Sequence, residues 1–232
     1  MSQKGSSFEN MRLSKETSSR TLRDSDSLAH LNNGKYVANR QERRRINILR
    51  QEYRAPLNDV ERHLEHIKQP DEHVTKRLKG DQSIINKIGD RGYKDSTVGT
   101  IRQSMQDIAG TKIVVSSIER KQEVYDQLSE QYEDRVLSLD RYDLNPKNGY
   151  YGINMTVEDK GHPVEIQIKT KNDEDYANEI HPPTHNKELD LYKGPHSKEP
   201  EVRQYVKELG EYYHAKDLGE SRPKPSLPIS GR

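Results

Sequence analysis

The spacing of apolar positions changes several times along the chain, and each change predicts an element. From Tyr36 to Gln69, Val37, Ile46, Leu49, Tyr53, Leu57, Val60, Leu64 and Ile67 recur mostly three or four residues apart. That period lines one face of a helix and predicts a long amphipathic helix or helix pair, broken or kinked at Pro56. A short strand is expected after Pro70. Ile84, Ile85 and Ile88 predict a helix over Ser83–Asp90, and a further helical stretch covers Val98–Met105. Residues 1–35 show little periodicity and read as loosely ordered or as short helices.

Further on the period shortens to two. The run Ile108–Ser116 is apolar and β-branched, which predicts a buried strand, followed by a helix from Ile118 to Gln131 and a strand over Arg135–Tyr142. Asn145–Gly149 reads as a turn. Tyr150–Glu158 and Pro163–Thr170 both alternate, joined by Asp159-Lys160-Gly161-His162, and predict a hairpin. If Ile153, Met155, Val157, Val164, Ile166 and Ile168 face the core, the pleat turns Tyr150, Gly152, Asn154, Glu165, Gln167 and Lys169 to the opposite face. Such a face suits a polar site, and it suits an ordinary solvent face equally well. Helices are expected over Asp173–Ile180 and Glu199–Tyr213, then a disordered Pro/Ser-rich tail from Pro223 to Arg232. Strands interleaved with helices give an α/β (α+β) class, with a mixed β-sheet flanked by helices.

Composition narrows the chemistry. The chain has 232 residues, of which 29% are hydrophobic and 33% charged, so the core must be compact. Tyrosine supplies nearly all the aromatic surface, with 13 residues against one phenylalanine and no tryptophan. Its flat ring and polar tip suit a nucleotide site or a half-wet core. The absence of cysteine excludes disulfides and thiolate metal sites. It fits a reducing cytosol as well as a secreted toxin built without disulfides. No apolar run approaches the ~18 residues a spanning helix needs, and the N-terminus has no apolar signal region, so a soluble protein acting in the cytoplasm is expected. Net charge is +1, yet Met1–Arg50 holds eleven basic and five acidic residues, densest at Arg43-Arg44-Arg45. A basic arm can hold nucleic-acid phosphates, although a solvated helix face has the same composition.

Four segments in order carry a more specific signal. They are Arg77-Leu78-Lys79 followed by Ser83-Ile84 and Lys87; Asp107-Ile108-Ala109-Gly110-Thr111-Lys112; Pro146-Lys147-Asn148-Gly149-Tyr150; and Val164-Glu165-Ile166-Gln167-Ile168-Lys169-Thr170. Together they resemble the synthetase domain of the RelA/SpoT alarmone family, and residues 74–170 carry the resemblance. Ala177, Glu179 and His185 resemble that family's downstream elements only loosely.

The resemblance implies a nucleotidyltransferase-like synthetase fold and transfer of pyrophosphate from ATP to the 3′-hydroxyl of a nucleotide. A triphosphate must be neutralised and aligned by converging cations. Arg77, Lys79, Ser83, Lys87 and Lys112 are the expected ATP-binding residues. There is no G-x-x-x-x-G-K-[ST] loop, so a P-loop enzyme is excluded. The resemblance assigns Mg2+ to Asp107 and Glu165, with Glu165 a metal ligand or the base for the attacking hydroxyl. It assigns the acceptor to Lys147, Asn148, Tyr150, Asn154 and Gln167, with Tyr150 stacking on the base. Read without the resemblance, Asp107 could be a turn residue and each lysine a surface charge.

Two departures stand out. Tyr151-Gly152-Ile153-Asn154 replaces the family's R-S-L-H after Gly149-Tyr150, and Lys112 stands where the family has arginine, a point charge for a bidentate fork. No hydrolase domain is expected at this length. The expected partners are therefore ATP and an acceptor nucleotide, with GDP or GTP favoured. A toxin-like relative acting on adenosine nucleotides or the 3′ end of tRNA is the first alternative. A catalytically inactive RNA-binding module is the second. An antitoxin or a second copy of the chain stays open as a partner; a membrane does not. The segmentation expected is a polar basic segment over 1–35, a synthetase domain over 36–215 and a tail over 216–232.

Overall fold

The computed structural model describes residues 22–91, 96–181, 190–191 and 194–227. It contains two compact units, one drawn from Met1–Leu49 and Asp81–Ser104, the other from Arg50–Gly80 and Met105–Arg232.

The first unit holds a hairpin of β1 (His30–Asn32) and β2 (Lys35–Val37), most of helix α1 (Arg40–Glu52), and helices α3 (Asp81–Asp90) and α4 (Val98–Ser104). Residues 30–37 correct the expectations of loose structure before residue 36 and a helix beginning there. Asn33 and Gly34 both take positive φ, 47° and 74°, which closes a two-residue hairpin of the kind Asn-Gly favours. Asn39 caps α1 by accepting from the amides of Gln41 and Glu42, while the Glu42 carboxylate accepts from the Asn39 amide at 2.8 Å. Glu42 is buried and also holds Ser27 and His30, which ties the hairpin to the helix.

The second unit is built on a five-stranded sheet in the order β3-β4-β7-β6-β5. Its strands are β3 (His73–Leu78), β4 (Ala109–Val115), β5 (Val136–Arg141), β6 (Ile153–Asp159) and β7 (His162–Thr170). Only the central β4–β7 pair is parallel; the other three pairs are antiparallel, so the expected mixed sheet is present. The β6–β7 hairpin has the expected parity. Ile153, Met155, Val157, Val164, Ile166 and Ile168 are all 0–1% exposed. Each such side chain stabilises the fold by about 1.5–3 kcal/mol relative to exposure.

Helices α2 (Arg54–Ile67) and α5 (Ile118–Tyr132) pack on the sheet. Lys76, whose side chain opposes that of Arg77 along β3, reaches Asn58 and Glu61 of α2, which places this helix on the face away from Arg77. Pro56 does not kink one long helix. The break falls at Tyr53, and Pro56 sits in the first turn of α2, where its missing N–H costs no intrahelical bond. Helix α6 (Lys171–Ile180) follows β7 directly, with Thr170 as its N-cap in a reciprocal capping box with Asp173. Helix α7 (Pro200–Asp217) then packs on α6 through Val202, Tyr205, Val206 and Leu209. Of the tail expected to be disordered, residues 223–227 have no helix or strand, yet Lys224 pairs with Glu179 at 2.8 Å; residues 228–232, like His185, lie outside the described residues.

Candidate active site

The outward parity of β3, β4, β7 and β6 fixes which side chains share the open face. Two rows of partners cross the sheet there. One is Arg77, Gly110, Glu165 and Thr156; the next is Thr75, Lys112, Gln167 and Asn154. A cavity of about 470 Å³ lies over these rows, walled by the turn before β6 and by α6. That volume is ample for a nucleotide-sized ligand.

Glu165 occupies the middle of the floor. Its Oε2 accepts from Gln167 Nε2 at 3.4 Å and lies 3.9 Å from Arg77, whose side chain is 66% exposed. Across the strand Gly110 presents no side chain, and a Cβ there would already stand 3.5 Å from the same oxygen. The carboxylate is thus open on one side. A hard cation that takes its remaining ligands from phosphates and water fits such a single carboxylate. No group of three metal-ligating side chains occurs among the described residues.

Three cations on the strands share the cavity with the carboxylate. Besides Arg77 they are Lys112 and Lys169, which converge on Glu174 of α6 at 2.5 and 3.4 Å. Burial pulls the Glu174 carboxyl upward, but the two lysines outweigh it and hold it below its ordinary range. Burial lowers the Lys169 ammonium, and Lys112 adds to that while Glu174 opposes it. Lys169 and Glu174 were not among the expected site residues. Alternation turns Lys169 to the face of Glu165 and Gln167 without giving it a role; Glu174 has no comparable signal.

The opposite wall is the turn Lys147–Tyr150. Asn148 and Gly149 both take positive φ, 52° and 76°, and Tyr150 pairs back to Lys147 in an isolated bridge rather than starting β6 as expected. The strand begins only at Ile153, and the ring of Tyr150 folds over Gly152 just before it. A Cβ at Gly152 would come within 2.5 Å of Tyr150 Cζ. The Tyr150 hydroxyl donates to Asn154 Oδ1 at 3.0 Å, and the ring lies 5.4 Å from the Lys169 ammonium and 5.5 Å from the Tyr142 ring. Burial, reinforced by Asp173, Glu165 and Glu174, pushes its phenol well above the usual range, so it stays a neutral donor.

Of the expected site residues, Arg77, Lys112, Lys147, Asn148, Tyr150, Asn154, Glu165 and Gln167 all line this one cavity. Asp107 and Lys79 do not. Asp107 lies in the turn ahead of β4 and accepts from Lys79 at 2.8 Å, while Glu165 stands opposite Gly110. Ser83 and Lys87 are on α3, in the first unit.

With this geometry in place, similarity to known proteins is informative. Residues 76–185 match the family model described as the region found in RelA / SpoT proteins. The GTP pyrophosphokinase YwaC of Bacillus subtilis (strain 168) is 30% identical over 115 residues, 49% of this chain and 50% of that protein, so the chain matches about half the length of this curated relative. The crystal structure of small alarmone synthetase 1 from Bacillus subtilis bound to its product pppGpp is similar in fold, with TM-score 0.58, 23% identity, and coverage of 76% of this chain and 94% of that one. Small alarmone synthetase 2 from the same organism gives a TM-score of 0.55 and 26% identity over 73% of this chain and 92% of that one. Among the described residues no helix is long and apolar enough to cross a membrane.

Proposed function

We propose that this chain, which carries a RelA/SpoT domain over residues 76–185, transfers pyrophosphate from ATP to the 3′-hydroxyl of a guanosine nucleotide, GDP or GTP. The observation that carries the proposal is the convergence of Glu165, three cations and a folded-over tyrosine in one cavity on the open face of the sheet. The similarity to the pyrophosphokinase relative and to small alarmone synthetase 2 supports this reaction type.

In the proposed mechanism Arg77, Lys112 and Lys169 neutralise and align the triphosphate. Lys112 and Lys169 are already held at Glu174 before the substrate arrives, so little reorganisation of these two opposes charge development at the β-phosphorus. The acceptor nucleoside lies against Tyr150, with Lys147, Asn148, Asn154 and Gln167 available to its base, sugar and phosphates. Glu165 faces the space between the two substrates and takes the proton from O3′ as the O3′–Pβ bond forms and the bond from Pβ to the departing AMP oxygen breaks. A magnesium ion held by Glu165 and substrate oxygens would supply charge neutralisation at the phosphates. Asp107, which lies outside the cavity and accepts from Lys79 at 2.8 Å, takes no part in this step.

Incubation with γ-labelled ATP and magnesium, offering GDP, GTP, ADP, ATP and deacylated tRNA separately, tests the proposal. Label is expected in GDP or GTP. Label in tRNA or adenosine nucleotides alone would replace the acceptor, and no label in any of them would remove the reaction.

A further inference from the structure

The turn carrying Asn148 and Tyr150 is held from behind by α7, which lies beyond the matched residues 76–185. A Cβ on Gly149 would stand 2.7 Å from the carbonyl oxygen of Val206 and 3.1 Å from the Cα of Gly210. From the other side, a Cβ on Gly210 would come within 2.5 Å of the Gly149 carbonyl carbon, and closer still to its Cα and oxygen. The turn and the helix therefore meet backbone to backbone through two facing glycines. Glycine is disfavoured inside an 18-residue helix, so the close approach is the physical reason for its presence at position 210.

The carbonyls on either side of Gly149 are also held. The Tyr176 hydroxyl donates to Asn148 O. The Lys121 ammonium, 1% exposed, donates to Tyr151 O at 2.9 Å and pairs with Asp173 at 2.8 Å. The far end of α7 is tied to the start of α6, where Asp217 accepts from Thr170 and Asn172 at 2.6 Å each. Three helices thus grip one turn, each at a different residue.

We propose that Gly210 is a positioning residue for the acceptor. By letting α7 contact Gly149 directly, it sets the height of the turn and hence the lie of the Tyr150 ring across Gly152, with Tyr176 and Lys121 as lateral supports. The inference rests on the reaction proposed above, and it adds to the acceptor site a helix that the matched region lacks.

Gly210→Ala in the full chain tests it by steady-state kinetics with ATP and acceptor varied separately. The expected result is an acceptor KM raised about tenfold or more with the ATP KM within about twofold of wild type, because the turn must move while the cationic floor stays. A glycine-to-alanine change in an unconstrained helix interior raises stability. A higher Tm together with an unchanged acceptor KM would overturn the inference. Should Gly210→Ala fail to fold, Tyr176→Phe removes only the hydroxyl that holds Asn148 O. It should raise the acceptor KM about threefold, the scale of one hydrogen bond, again with the ATP KM unmoved. Equal rises in both KM values would overturn the inference as well. A wild-type chain that labels no acceptor takes this inference down with the reaction, whereas active wild type with unaffected variants sinks the inference alone.

Discussion

On the β3–β4–β7 side of the cavity, Arg77, Lys112 and Lys169 act through long side chains, and Arg77 is mostly exposed and lies 3.9 Å from its nearest carboxylate. On the turn side, the backbone is held at Asn148, Gly149 and Tyr151 by Tyr176, Gly210 and Lys121, and the Tyr150 ring rests on a residue without a side chain. The two sides answer different physical demands. A polyanion is bound by charge, which acts over several ångströms and tolerates flexible carriers. A base is bound by the contact of flat surfaces, which an ångström of displacement destroys. The first side should therefore tolerate changes that keep charge, and the second should fail on the addition of one methyl group.

Glu165 stands between the two sides, and its loss should have the largest effect. Glu165→Gln keeps the shape and removes the charge and the base. Turnover should fall about 100-fold or more, with smaller changes in both KM values, as measured by transfer of the γ-label. Equal turnover would remove Glu165 from the mechanism.

Gly152→Ala comes next. The added methyl meets the Tyr150 ring within 2.5 Å, so the ring must leave its seat. The acceptor KM should rise about tenfold while the ATP KM stays put, the scale expected for lost stacking of one base. If the ATP KM rises as much, the two sides are not separable in the way described.

Arg77→Lys probes the other side. Charge is kept and only the planar fork is lost. The expected change is about threefold in the ATP KM and much the same at low and high salt, because the exposed charge that salt screens is unchanged. A loss as large as that of Gly152→Ala would mean that the cationic side also demands shape.

The smallest effect is one of stability with pH. Glu174 has its folded-state carboxyl held below the ordinary value of 4.5. A depressed carboxyl adds stability that is present above that value and is lost as pH falls through the folded-state value. In urea denaturation the stability advantage of wild type over Glu174→Gln should therefore be constant from pH 7 to pH 5 and should shrink below pH 4.5. An advantage that grows on acidification would contradict the assignment of Lys112 and Lys169 as its partners.

Much of the floor was legible in the sequence because a period of two leaves no freedom. Once Val164, Ile166 and Ile168 are buried, Glu165, Gln167 and Lys169 must face the other way. The segment order also placed Arg77, Lys112 and the Lys147–Tyr150 turn in one cavity. Less was legible where local chemistry has two readings. Asn33-Gly34 carries a strong hairpin signal, but its flanks His30–Asn32 and Lys35–Val37 are mostly polar, so nothing announced strands. Pro56 breaks a helix or begins one, and only the end of α1 before Tyr53 decided which.

The sequence by itself determined the sheet's two faces, the order of the site segments and the charges they carry, since each follows from alternation and residue type within one short stretch. The tertiary structure alone decided that Glu174 joins Lys112 and Lys169, that Asp107 turns to Lys79, and that Gly210 backs Gly149. Lys169 and Glu174, only five apart, lie on a strand and the helix after it, while Lys79 and Asp107 are 28 residues apart in the chain and Lys112 and Glu174 are 62 apart. No periodic pattern spans such distances, and a glycine in the sequence does not say which backbone will approach it.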